Sequence, residues 1–506
     1  MQTILAIDQS TSSTKALLFD AQGRLLDRVS LDHRQIYPQP VWVEHDAEEI
    51  WRNTLSTMKT LVERNRNAIG DVSHLSITNQ RETIVVFERG TGRPLHNAIV
   101  WQCRRGDPIC AELSRHHEVV ARKTGLKIDT YFSASKLTWL MRSRPDLANK
   151  LRDGDALLGT IDAYLIYRLT NGRVFATDHT NGSRTLLFDI GRLAWDDELC
   201  ALFDVPRRAL PDVRDSTGRF GETDLDGLLP RRIPICGVMG DSQASLFAHR
   251  CFTPGMAKVT LGSGSSVLLN VGPELRAPGE GAVATIAWTH AGKPTYCFEG
   301  LINYSAATIG WLKDQLGLIR TAEETEEAAL SVPDNGGVYL VPAFAGLGAP
   351  HWSPGARAAI VGMTAHASRN HIIRAALESI GYQLHDVLDM MRDRAPSTGS
   401  GQASIALRTI NADGGATRNA FLMQFIADVT GVEIATARIA ECSPLGAALA
   451  GAVGMGLHPS LDAVASLPRD VVTYCPRMDC GQVDRLCAGW KRAVQQVLAG
   501  ASEGAS

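Results

Sequence analysis

The chain has 506 residues, too many for one ordinary hydrophobic core, so two domains are expected. Hydrophobic residues make up 44% and charged residues 21%, and 51 basic against 54 acidic residues leave a formal net charge of −3. That balance excludes a disordered chain and leaves no basic stripe for a nucleic-acid backbone.

Residues 4–7, 16–19 and 24–30 read as consecutive antiparallel strands, with turns at 10–14 and 20–23. The short apolar run before Asp8 is no signal-peptide core. Asp46 is placed to cap a helix from Ala47, where Ile50, Trp51, Leu55, Met58, Leu61 and Val62 recur at helical spacing. Strands are expected next at 74–78, 83–87 and 98–101. The second half repeats the plan, with strands at 257–261 and 266–271 and helices at 306–316 and 371–391. A strand at 404–411, a Gly414-Gly415 turn, a helix from Thr417 and a last helix at 484–498 follow, with a loop at 396–402. The stretch 444–457 is Ala/Gly-rich, too short to span a bilayer, and reads as a close-packed buried helix. Strands and helices interleaved in both halves argue an α/β chain with domains at 1–250 and 251–506. Ten cysteines lie singly between Cys103 and Cys487 without a Cys-x-x-Cys pair, which fits a reducing cytoplasm and gives no spacing for structural zinc. Neither membrane insertion nor a nucleic-acid partner is expected.

Two segments about 250 residues apart share one design. Asp8-Gln9-Ser10-Thr11-Ser12-Ser13-Thr14-Lys15 and Leu261-Gly262-Ser263-Gly264-Ser265-Ser266 each follow an apolar strand and lead into another. Such turns aim N–H groups and hydroxyls at one point, as phosphate oxygens require. One at the head of each half implies a phosphate clamp with a cleft between. Asp8 is then either the anchor of a local turn or a carboxylate for Mg²⁺, which takes few carboxylates beside phosphate oxygens. Asp241 lies in Gly240-Asp241-Ser242-Gln243, just before a helical run, where it can serve as N-cap, as general base, or as both. Arg81-Glu82 interrupts an apolar stretch and offers donors beside acceptors for a polyhydroxy ligand, while Trp101 and Tyr131 offer apolar walls. Asp413-Gly414-Gly415-Ala416 opens a helix whose free N–H groups suit an anion or a nucleotide.

With these residues in view, the chain resembles the FGGY carbohydrate kinases, and within them the glycerol kinase branch, from Ile4 to about Gly456. Tyr131-Phe132-Ser133-Ala134-Ser135-Lys136-Leu137-Thr138-Trp139 is similar to one family signature. Residues 362–378, with His371-Ile372-Ile373-Arg374-Ala375-Ala376-Leu377-Glu378, are similar to the other. The resemblance implies a two-domain actin/hexokinase-like (ribonuclease H-like) fold, ATP with Mg²⁺, and transfer of the γ-phosphoryl group to a primary hydroxyl of glycerol. It also implies a cytoplasmic homo-oligomer. By position it makes Asp241 the catalytic base and puts Asp8 and Asp241 on the metal. Arg81, Glu82, Trp101, Tyr131, Asp241, Ser242 and Ser266 fall around the polyol. Thr11, Ser12, Ser13, Lys15, Gly262, Ser263, Gly264, Ala306, Gly310, Gly415 and Asn419 fall along ATP. Ser242 and Ser266 stand where the branch carries Gln and Phe, which leaves a smaller, more polar wall and makes a larger polyol such as erythritol or threitol the alternative substrate. The segment 299–305 also departs from the branch pattern.

Overall fold

A computed structural model describes residues 2–278, 281–392, 405–439 and 441–503. The loop expected at 396–402 lies outside the described residues. The first half is built on a six-stranded sheet. Its strands are β1 (Thr3–Gln9), β2 (Ser13–Asp20), β3 (Leu25–Asp32), β4 (Val72–Asn79), β5 (Arg219–Thr223) and β6 (Ile233–Gly240), in the order β5-β6-β4-β1-β2-β3. β1, β2 and β3 are antiparallel, whereas β1–β4 and β4–β6 run parallel. Every residue of β1 and β6 is buried, and the apolar run at 4–7 is the centre of β1. The helix α1 (Ala47–Arg64) starts where expected: the Asp46 side chain accepts from the Glu48 N–H at 2.9 Å.

The register decides where chemistry can sit. Gln9 is opposite Asn79, and Asn79 is opposite Gly240, so three neighbouring parallel strands end level. Asp8, the Gln80-Arg81-Glu82 turn and Asp241 therefore leave one sheet edge together, at the carboxyl ends where open α/β sheets place ligands.

The second half holds a seven-stranded sheet: β7 (Met256–Leu261), β8 (Ser265–Gly272), β9 (Val283–His290), β10 (Lys293–Ile302), β11 (Thr409–Asp413), β12 (Glu433–Ala437) and β13 (Val471–Tyr474), ordered β9-β10-β8-β7-β11-β12-β13. β7 and β11 are parallel and end level at Thr260 and Asp413, which sets the Gly262–Gly264 and Gly414–Gly415 turns side by side. The strand expected at 404–411 is β11, displaced toward the C-terminus. Its ladder begins at Thr409 opposite Met256; just before it the Arg408 N–H still donates to the Gly255 carbonyl at 2.8 Å, but the φ of +89° at Gly255 breaks the extended backbone there. The helix expected from Thr417 is a 3₁₀ turn (Gly415–Arg418) followed by α5 (Ala420–Thr430), since Asn419 caps from its side chain onto the Leu422 N–H.

Helices α2 (Ser133–Ser143), α3 (Asp241–Ala248), α4 (Arg369–Arg392), α6 (Cys442–Gly454) and α7 (Cys480–Glu503) complete the parts used below. α6 comes late in the chain yet packs against β1, β4 and β6 of the first sheet and along α3. Leu445, Ala448, Leu449 and Ala452 share a core with Ile4, Ala6, Phe19, Met239 and Phe247. Contact is backbone-close: a Cβ on Gly446 would stand 1.7 Å from the Ala244 carbonyl oxygen. The Ala/Gly composition of 444–457 is thus a requirement for close approach. No helix among the described residues is long and apolar enough to cross a membrane.

Candidate active site

A cavity of about 1500 Å³ opens between the two sheet edges. Asp8, Thr11, Lys15, Arg81, Glu82, Trp101, Tyr131, Asp241, Ser242, Ser263, Gly264, Ser266 and Gly415 all line it. A second cavity of about 1050 Å³ shares Ser263 and Gly415 with the first and adds Gly262, Ala306, Gly310 and Asn419. All but two of the candidate residues therefore meet along one channel. Ser12 is exposed and Ser13 is buried within its turn, its hydroxyl 3.1 Å from Ser10 Oγ, and neither is on the wall.

One end of the channel is built on a buried ring of charges. Arg81 Nη2 lies 2.8 Å from Glu299 Oε1, Arg184 Nη1 lies 2.6 Å from Glu299 Oε2, and Arg184 Nε lies 2.5 Å from Glu82 Oε1. Arg81 Nε closes the ring 3.8 Å from Glu82 and also stands 3.2 Å from Asp241 Oδ1. Arg81, Glu82 and Arg184 come from the first half, whereas Glu299 comes from β10 of the second. Burial alone would raise the Glu299 carboxyl, but the Arg184 and Arg81 guanidiniums outweigh it and hold its pKa at about 2. For Glu82 burial wins over the same two cations and its pKa is raised. The backbone beneath is strained: Glu82 has φ +60°, and the Thr83 N–H bonds back to the Arg81 carbonyl at 2.7 Å in a three-residue turn. Non-glycine residues hold such a conformation only where surroundings over-determine it, and such strain gathers at functional sites.

Two aromatic rings wall this end. Trp101 and Tyr131 meet edge-on at 5.2 Å, and Trp101 Nε1 donates to Thr11 Oγ1 at 3.0 Å. Behind them, fully buried Lys136 on α2 donates to the carbonyls of Thr130 (2.7 Å), Tyr131 (3.1 Å) and Trp101 (3.3 Å). Burial without a carboxylate partner at hydrogen-bond distance pulls the Lys136 pKa down to about 8. Sequence reasoning overlooked Arg184, Glu299 and Lys136. A signal existed for Glu299, a single charge in the apolar strand Tyr296-Cys297-Phe298-Glu299-Gly300-Leu301-Ile302.

Further along, burial raises the Asp8 carboxyl to about 6 against the pull of Lys15, with Asp241 and Glu441 adding to the rise. Lys15 Nζ is 3.3 Å from Asp8 Oδ2 and 2.8 Å from Glu441 Oε2, so it is anchored between carboxylates. Asp241 is not an N-cap. Gly240 holds the cap position without a side-chain bond, and Asp241 is the first helical residue of α3, its Oδ1 accepting from the Ser242 N–H at 2.7 Å. Its carboxylate stays 39% exposed to the cavity at a helix N-terminus, where the dipole favours negative charge. The buried Ser266 hydroxyl has no hydrogen-bond partner. At the second turn, Gly414 must be glycine: its φ is +99°, and a Cβ would lie 2.4 Å from the Leu261 carbonyl oxygen.

Residues 3–248 match the N-terminal domain of the FGGY family of carbohydrate kinases, and residues 257–455 match its C-terminal domain. The chain is 43% identical to glycerol kinase 1 of Thermotoga maritima over 98% of its own length and 99% of that protein's. It is 44% identical to the glycerol kinase of Francisella philomiragia over the same shares. Among solved structures it is similar to Plasmodium falciparum glycerol kinase with ADP, with a TM-score of 0.91 at 34% identity over 98% of each chain. The ligand-bound xylulose kinase of Lactobacillus acidophilus shares the fold with a TM-score of 0.89 at 19% identity, covering 99% of this chain and all of that one.

Proposed function

The chain belongs to the FGGY family of carbohydrate kinases, and we propose that it transfers the γ-phosphoryl group of ATP to a primary hydroxyl of glycerol, giving sn-glycerol 3-phosphate. The observation that carries this reading is the exposed Asp241 carboxylate, beside buried Arg81 at one end of a channel whose other end is walled by glycine turns.

Arg81 and Glu82 hold the polyol hydroxyls, and Trp101 and Tyr131 cover its carbon–hydrogen face. Asp241 accepts the proton of the attacking hydroxyl as the new oxygen–phosphorus bond forms. The bond from the γ-phosphorus to the bridging oxygen breaks, and its electron pair leaves on ADP. The Gly262–Gly264 turn, Thr11 and Lys15 face the phosphates, while Ala306, Gly310, Gly415 and Asn419 take the adenosine end. Asp8 and Asp241 are hard oxygen donors on one cavity wall, a set that fits Mg²⁺ shared with phosphate and water. The cation would neutralise charge on the β- and γ-phosphates. Closing the cleft excludes water and aligns hydroxyl, phosphorus and leaving oxygen. We place this activity in the cytoplasm, in a homo-oligomer whose size light scattering measures.

Asp241→Asn tests the base. Turnover falls by at least a thousandfold while ATP binding stays within threefold; full activity would remove the assignment. One observation favours a second reading: Ser242 and Ser266 are both small side chains on the cavity lining, which leaves room for a four-carbon polyol. A kcat/KM for erythritol or threitol far above that for glycerol would decide for it.

A further inference from the structure

Three side chains that share no sequence motif converge in the floor of the cleft. His249 follows the end of α3, Asp413 ends β11 and Cys442 begins α6. His249 Nε2 lies 2.9 Å from Asp413 Oδ2 and 3.8 Å from Cys442 Sγ, and one donor atom from each residue lies within 4.8 Å of the other two. A tetrahedral zinc with bonds of about 2.0–2.3 Å needs donor–donor edges of roughly 3.3–3.7 Å. The observed distances straddle that span, so seating an ion requires shifts of a few tenths of an ångström.

The cluster is also under-satisfied. His249 is wholly buried and Asp413 nearly so, yet Asp413 Oδ1 has no hydrogen-bond partner. Buried polar atoms left unpaired call for a missing water, ion or ligand. Asp413 and Cys442 line the large cavity, so an ion reaches them from solvent. The groups around Asp413 are Ser245 Oγ at 3.2 Å, Lys258, which pulls the Asp413 carboxyl down electrostatically, and Thr260.

We propose that His249, Asp413 and Cys442 bind one thiophilic divalent cation of the zinc class, apart from the hard-oxygen pair Asp8 and Asp241, and that its occupancy slows phosphoryl transfer. The donor set of imidazole, carboxylate and thiolate selects zinc over magnesium. Binding releases the Cys442 thiol proton to solvent and moves the imidazole proton from Nε2 to Nδ1. The bound ion ties the end of α3, whose first residue is Asp241, to the Gly414–Gly415 turn and to α6, and so resists relative movement of the cleft walls.

Cobalt(II) reports on the site without any assumption about activity. Titrating the full chain under a non-thiol reductant, one equivalent of Co²⁺ gives four-coordinate visible bands and a thiolate charge-transfer band. Cys442→Ser loses the charge-transfer band, His249→Gln weakens binding at least tenfold, and a Cys475→Ser/Cys480→Ser variant, which removes the exposed thiols, keeps the full spectrum. In wild type, Zn²⁺ protects Cys442 from alkylation by iodoacetamide, read by mass spectrometry, which stands even if a variant misfolds. With saturating Mg²⁺ and ATP, micromolar Zn²⁺ lowers the rate of wild type severalfold, a chelator restores it, and Cys442→Ser is unaffected. Absence of a charge-transfer band at millimolar Co²⁺, a band that survives in Cys442→Ser, or unprotected Cys442 would each overturn the site. A cobalt spectrum without zinc inhibition would overturn its effect on turnover alone.

Discussion

Glu299→Gln removes the one carboxylate that the second half contributes to the buried ring around Arg81. Its pKa falls from 4.5 to about 2 on folding, which corresponds to about 3 kcal/mol in favour of the ionised form. The group is fully buried, so solvent screening takes little from that figure. Removing one partner of a buried ion pair costs about 3–5 kcal/mol, because Arg81 and Arg184 are left facing each other with only Glu82 between them. For a cooperative unit of about 250 residues that is a fall in Tm of roughly 6–20 °C. Because the folded pKa is depressed, this stabilisation is fully present above pH 4.5 and is lost as pH falls toward 2; the variant lacks that acid limb. Arg81 loses its 2.8 Å anchor, so KM for glycerol rises at least tenfold. The sharp test is a double-mutant cycle by chemical denaturation. Adding Arg184→Gln removes the cation left unpaired, so the double variant is more stable than the sum of the single losses by about 1.5 kcal/mol or more. Additivity within about 0.5 kcal/mol would show that the ring is not an energetic unit, and the reasoning would fail.

Lys136→Met frees the Trp101 and Tyr131 carbonyls and raises KM for the polyol roughly tenfold, leaving KM for ATP within twofold, and Lys136→Arg recovers part of the loss; steady-state kinetics in both substrates checks the split. Asp8, raised to about 6 by burial, must lose a proton before it can hold Mg²⁺. The Mg²⁺ concentration for half-maximal rate therefore climbs about tenfold per pH unit below 6 and is flat above it, and a level profile between pH 5 and 7 would contradict the assignment. Since its folded pKa lies above 3.8, Asp8 favours the ligand-free fold at low pH, and that contribution is lost as pH rises through 6. Gly446→Ala drives a methyl into the Ala244 carbonyl, and this clash against backbone costs at least about 3 kcal/mol. Urea unfolding with an unchanged midpoint would show that α6 and α3 are not packed backbone to backbone.

Much of this protein was legible in the chain because the signals were local. Asp46 before Ala47, the apolar run of β1, and the Gly, Ser and Thr turns each act through neighbours a few residues away. They sufficed for an α/β chain with two glycine- and hydroxyl-rich turns at one cleft, and family motifs then named Asp241, Arg81 and Glu82. The errors were also local: the start of β11 is set by its partner β7, and Asp241 lies one residue inside a helix whose cap is Gly240. Tertiary structure alone decided which charges are partners. Glu299 lies over 100 residues from Arg184 and over 200 from Arg81, and His249, Asp413 and Cys442 sit on three separate elements. Burial makes partners necessary, since a charge removed from water must find an opposite charge or a set of hydrogen bonds. Nothing in one-dimensional spacing says which strand ends finish level, and the register of β1, β4 and β6 is what brings them together.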